Sequence, residues 1–134
     1  MRPLSIYIHI PFCPKKCLYC DFTSFSGSGH LFTEYTEALL NEIKVSSPEY
    51  AGCEVKTIFF GGGTPTLMPA VLLGRIMDGI FKAFKVSGGC EVTFESNPET
   101  MDIQKAKELA LMGANRLSFG VQAFQDRLLR TLGR

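Results

Sequence analysis

The 134-residue chain has almost no net charge: 14 Lys and Arg stand against 13 Asp and Glu, leaving +1. There is thus no general electrostatic case for nucleic acid or for an anionic membrane surface as a partner. Long apolar runs are also missing. Stretches such as Thr57-Ile58-Phe59-Phe60 are too short to span a bilayer. The segment from Met1 to Phe12 lacks the small-residue cleavage pattern of a signal peptide and carries Pro3 and His9 inside it. No repeat and no low-complexity tract is present. These absences predict a soluble, cytoplasmic protein. The 46% hydrophobic content is ordinary for a globular chain, and the length allows one domain with a real core.

A disulfide framework is excluded too. Five cysteines lie at positions 13, 17, 20, 53 and 90. The odd count and the crowding of three within one short segment do not suit a secreted scaffold. Clustered cysteines in a cytosolic chain point to metal or redox chemistry. Cys53 and Cys90 stand alone and read as small packing residues.

Hydrophobic periodicity divides the chain. Leu4 to Ile10 alternates as a strand, with Ile6, Ile8 and Ile10 on one face and Tyr7 and His9 on the other. A loop rich in Cys, Lys, Ser and Gly runs to His30. Thr33 can cap a helix whose Tyr35, Leu39 and Ile43 recur at helical spacing, closed by Ser46-Ser47-Pro48. Glu54 to Phe60 is a second strand, broken by Gly61-Gly62-Gly63. Pro69 opens a second helix with Leu73, Met77, Ile80 and Phe84 as its apolar stripe. Ser87-Gly88-Gly89 reads as a turn before a third strand, Cys90 to Glu95. A third helix from Met101 to Met112 is expected to turn Ile103, Ala106 and Ala110 inward, with Gly113 at its C-terminal cap. Asn115 to Gly120 is a fourth strand, and a fourth helix begins near Ala123. The order βαβαβαβα predicts parallel strands with right-handed crossovers, as a doubly wound sheet or part of a barrel.

Each predicted strand runs at once into unusual chemistry: the cysteines, the three glycines, Glu95-Ser96-Asn97-Pro98, and Gly120-Val121-Gln122. In parallel α/β folds the carboxyl ends of the strands form the ligand face. Cys13, Cys17 and Cys20 offer three thiolates in the pattern C-x₃-C-x₂-C. A structural zinc site wants four ligands, so zinc would need His30 or Cys53 as well. A 4Fe–4S cubane held by three cysteines leaves one iron open for a substrate or cofactor. Taken alone, the glycines could be a tight turn, Glu95 a solvated strand end, and Tyr7 and Tyr19 packing residues. His9 reads as a packing or hydrogen-bonding residue, and Lys15 and Lys16 as solvated loop charges.

The segment YIHIPFCPKKCLYCDF resembles the opening of the radical S-adenosylmethionine (SAM) proteins. Within them it is similar to the group of oxygen-independent coproporphyrinogen III oxidases and heme chaperones. The likeness continues through GGGTPT, EVTFESNPET and NRLSFGVQAF to LGR, nearly the whole chain. It implies an α/β fold, a partial TIM-like barrel of consecutive βα units. It also implies a 4Fe–4S cluster on Cys13, Cys17 and Cys20, and SAM bound at the open iron and cleaved to a 5′-deoxyadenosyl radical. By the same resemblance Gly62 and Gly63 meet the methionyl amino group, with Thr64 beside them, and Glu95 binds ribose hydroxyls. Tyr7 lies near the methionine part, Tyr19 near adenine or a second ligand, and Gln122 and Arg134 contact SAM.

The resemblance leaves two functions in view. One is an enzyme that decarboxylates coproporphyrinogen III. The other is a heme chaperone that hands heme to an acceptor protein. Either would draw on an electron donor such as flavodoxin or ferredoxin. The oxidase pattern extends to C-x₃-C-x₂-C-x-C, whereas this chain reads Cys20-Asp21-Phe22, so Phe22 favours the chaperone. A structural zinc module is a third reading. A complete (β/α)₈ barrel needs about 250 residues. Residues 1–134 are therefore expected to be the N-terminal part of a radical SAM core domain, with any heme site beyond Arg134.

Overall fold

The computed structural model describes all 134 residues. Six strands and four helices follow in order: β1 (Arg2–Ile10), β2 (Phe12–Cys13), β3 (Phe25–Ser26), α1 (Phe32–Ser46), β4 (Cys53–Gly62), α2 (Ala70–Ala83), β5 (Val86–Ser96), α3 (Ile103–Leu111), β6 (Arg116–Phe119) and α4 (Asp126–Thr131). The main sheet is parallel with the order β1-β4-β5-β6. Each βα unit adds its strand beside the last on the same edge. A doubly wound sheet would reverse direction partway, so the consecutive order is that of a partial barrel. No helix is long and apolar enough to cross a membrane.

The core lies between the sheet and its helices. Ile8 and Ile10, Ile58 and Phe60, and Val92 and Phe94 alternate onto one face and pack against Ile43 of α1, Leu73, Ile76, Met77 and Ile80 of α2, and Leu109 of α3. Phe60 and Phe94, paired in register, stack with ring centroids 4.2 Å apart. The other face carries Tyr7, Phe59, Thr93 and Glu95, the side that would become the lumen of a closed barrel.

Three local expectations change. Ser87-Gly88-Gly89 lies inside β5 rather than forming a turn. Between the pairs Val55–Val86 and Thr57–Glu91 the β5 side carries the extra residues, so the glycines accommodate a bulge. Thr33 does not cap α1; Leu31 is at its N-cap and a 3₁₀ turn over Gly29–Leu31 leads in. On α3 the inward residue is Leu109, while Ile103 is 76% exposed. That helix begins where Asp102 accepts from the Lys105 N–H, and it packs with its Leu109 face on the core, leaving Ile103 on the open side.

Candidate functional site

The carboxyl ends of the four main strands meet the cysteine loop around a cavity of about 350 Å³. It falls in the usual range for small-molecule sites, roughly 300–1,000 Å³. Its walls hold Cys13, Cys17 and Cys20 together with Tyr19, Gly62, Gly63, Thr64, Glu95, Gln122 and Arg134. The sequence-predicted residues thus converge on one place, with Tyr7 as the exception. Tyr7 stands on β1 outside the cavity wall, stacked on Phe59 at 6.1 Å, its hydroxyl 3.2 Å from His9 Nδ1. Partial burial, and then the Glu95 carboxylate, hold its phenol above the ordinary value.

The cysteine loop is closed at its base by pairing of β2 with β3 and by the Phe25 N–H donating to Pro11 O at 2.7 Å. His9 Nε2 donates to Thr23 O at 2.9 Å, because a carbonyl can only accept. His9 is therefore a hydrogen-bonding tie to the loop. Lys16 is exposed, as expected of a loop charge, but its ammonium also binds Phe22 O, Ser24 O and Ser24 Oγ and so clasps the loop. Cys13 is buried, whereas Cys17 and Cys20 are half-buried and joined by a turn.

Glycine is required at positions 62 and 63 by the packing of the backbone itself. The end of β4 runs against the chain leaving β1: the Gly63 N–H donates to Ile10 O and the Thr64 N–H to Phe12 O, both at 2.7 Å. A Cβ on Gly63 would lie 2.5 Å from the Phe12 carbonyl oxygen. Gly62 has φ +107, and a Cβ there would come within 2.6 Å of the His9 ring. Gly63→Ala should accordingly destabilise the fold by roughly 2 kcal/mol, since rigid backbone cannot give way. Gly52→Ala, with open space around it, should change stability by less than about 0.5 kcal/mol. Urea unfolding of the two variants checks this.

The polar wall is assembled from distant segments. Arg134 donates to Asn97 Oδ1 at 2.6 Å, to Gly120 O at 2.7 Å and to Tyr19 Oη at 3.2 Å. Asn97 Nδ2 donates to Thr64 Oγ1 at 3.1 Å, and Thr64 Oγ1 lies 3.5 Å from Cys13 Sγ. The Gly62 N–H donates to Glu95 Oε2 at 3.3 Å. Desolvation raises the Tyr19 phenol above its ordinary value despite the Arg134 guanidinium beside it. Gln122 has φ 64, the one non-glycine residue in the left-handed region. Such strain clusters at functional sites. Asn97 and Ser118 also line the cavity and were not singled out as site residues from sequence. Their signal was only their position at a strand end.

The donor set suits a polynuclear cluster better than a single ion. A cubane needs one thiolate per ligated iron, at separate corners. The extra ligands that zinc would require are elsewhere: Cys53 pairs with Arg2 at the opposite end of β1, and His30 does not line the cavity.

Comparison with known proteins gives a consistent result. The radical SAM superfamily matches residues 7–134. The chain is 41% identical over 135 residues to the heme chaperone HemW of Escherichia coli (strain K12), covering 100% of this chain and 36% of that protein. It is 43% identical over 131 residues to HemW of Bacillus subtilis (strain 168), covering 97% and 35%. Among solved structures it resembles coproporphyrinogen III oxidase (HemN) from Escherichia coli, a radical SAM enzyme, with TM-score 0.94 and 35% identity over 99% of this chain and 31% of that one. The chain thus spans about a third of the length of these relatives.

Proposed function

Because this chain belongs to the radical SAM superfamily, we propose that it is the N-terminal part of the core domain of a cytoplasmic heme chaperone. Membership implies a 4Fe–4S cluster and SAM. When bound and reduced, the cluster supplies the electron that breaks a C–S bond of SAM. In this reading Cys13, Cys17 and Cys20 hold the cluster. Gly62, Gly63 and Thr64 bring backbone to the methionyl end, and Glu95, an acceptor-only carboxylate, takes the ribose hydroxyls. Gln122, Arg134 and Tyr19 form the facing wall, with Tyr7 next to it on β1. Heme is assigned to residues beyond Arg134, with an acceptor protein as partner and flavodoxin or ferredoxin as electron donor.

The observation that carries the chaperone over the oxidase is Phe22. It lines the cavity beside the cysteine loop and is 69% exposed, at the position where the oxidase pattern has a further cysteine. The higher identity to the two HemW proteins than to the oxidase structure supports the same choice. The full-length protein should bind heme at a defined stoichiometry and pass it to an acceptor. It should leave coproporphyrinogen III unconverted in an anaerobic assay with SAM, a reductant and an intact cluster. Repeated turnover to protoporphyrinogen without stable heme binding would replace this reading with the enzyme.

A further inference from the structure

The hydrogen bonds behind the cysteine loop have only one consistent direction. A guanidinium has donors and no acceptor, so the atom of Asn97 that meets Arg134 at 2.6 Å is the carbonyl oxygen. The Asn97 amide nitrogen therefore faces Thr64, and because it can only donate, the Thr64 oxygen accepts at 3.1 Å. The Thr64 hydroxyl proton is then free to point at Cys13 Sγ, 3.5 Å away. A metal-bound thiolate carries no proton, so it can only accept. Thr64 is 2% exposed and Cys13 9%, so the contact is largely desolvated.

We propose that the Thr64 hydroxyl donates to the Cys13 thiolate and thereby raises the reduction potential of the cluster, with Asn97 and Arg134 as positioning residues that set the direction of the bond. The inference rests on the cluster reading above. Its physical basis is that a reduced cluster carries one more negative charge than an oxidised one. A fixed donor at a ligating sulfur stabilises the reduced form more, and so moves the potential upward. The Thr64 hydroxyl thus acts on the cluster, while its backbone stays beside the methionyl end of SAM.

The test is a redox titration of the anaerobically reconstituted protein followed by electron paramagnetic resonance, without SAM, alongside iron and sulfide analysis. Thr64→Val keeps the volume and removes the hydroxyl, and should shift the potential to more negative values. Thr64→Ser should restore the wild-type potential. Asn97→Asp turns the neighbour into an acceptor that draws the Thr64 proton away from sulfur. In that background Thr64→Val should produce no further shift. Should Thr64→Val fail to hold iron, Thr64→Ala takes its place in the same cycle. Wild-type protein without iron and sulfide would overturn the cluster reading itself. Full iron content with an unchanged or more positive potential, or a shift undiminished beside Asn97→Asp, would overturn this inference alone.

Discussion

Single replacement of Cys13, Cys17 or Cys20 by alanine is expected to abolish the iron–sulfur cluster outright, whereas Cys53→Ala and Cys90→Ala should retain it. The all-or-none outcome follows from ligand count. A cubane on three cysteines uses one thiolate per ligated iron and leaves the fourth iron without a protein ligand. The loop that carries them is closed by β2–β3 pairing and by the Lys16 and His9 ties. No fourth cysteine lies within the cavity to substitute. Cys53 and Cys90 are buried away from it, at the amino-terminal end of β4 and in the bulged part of β5. Burial also raises the Cys90 thiol, further from the thiolate form that a metal needs. Reconstituted wild-type protein should hold about four irons and four sulfides per chain. Stoichiometric zinc in place of iron would revive the structural zinc module, and full iron in any of the three variants would move the cluster elsewhere.

Glu95→Ala should weaken SAM binding by about 1–3 kcal/mol, roughly 5- to 150-fold in dissociation constant, at unchanged iron content. Glu95 is half-buried at the carboxyl end of β5, and only the Gly62 N–H engages it, through Oε2. The remaining acceptor capacity faces the cavity. Two hydroxyl donors on a ribose match a carboxylate that has no proton of its own. Glu95→Gln keeps one acceptor and should fall between wild type and alanine. Calorimetry on cluster-loaded protein is the measurement, and undiminished affinity in Glu95→Ala would remove Glu95 from the site. Gly62→Val is a poor substitute for this test, because the φ of +107 and the His9 ring would make it a folding defect first.

Much of the fold was legible because each βα unit carries its own period. Ile8 and Ile10 alternate as a strand must, and Leu73, Met77 and Ile80 recur as a buried helix face must; both are buried as read. The places that went unread depend on neighbours. Ser87-Gly88-Gly89 has the composition of a turn, yet pairing of β5 with β4 draws it into a bulged strand. Ile103 has the hydrophobicity of a core residue, but the packing of α3 on the core buries Leu109 instead. Lys16 looks like any surface lysine until the loop folds back and offers it three acceptors.

The site divides along the same line. The sequence by itself determined that three thiols would lie close together, because local spacing puts Cys13, Cys17 and Cys20 on one short loop. It also determined that the unusual residues would gather at one end of the sheet, because parallel strands all point their carboxyl ends the same way. Only the tertiary structure decided which polar groups face one another. Arg134 reaches Asn97 across 37 positions of the chain, and Thr64 reaches Cys13 across 51. The direction of those bonds, and the need for glycine where β4 passes Phe12, come from distances between separate units, which no local pattern of residues encodes.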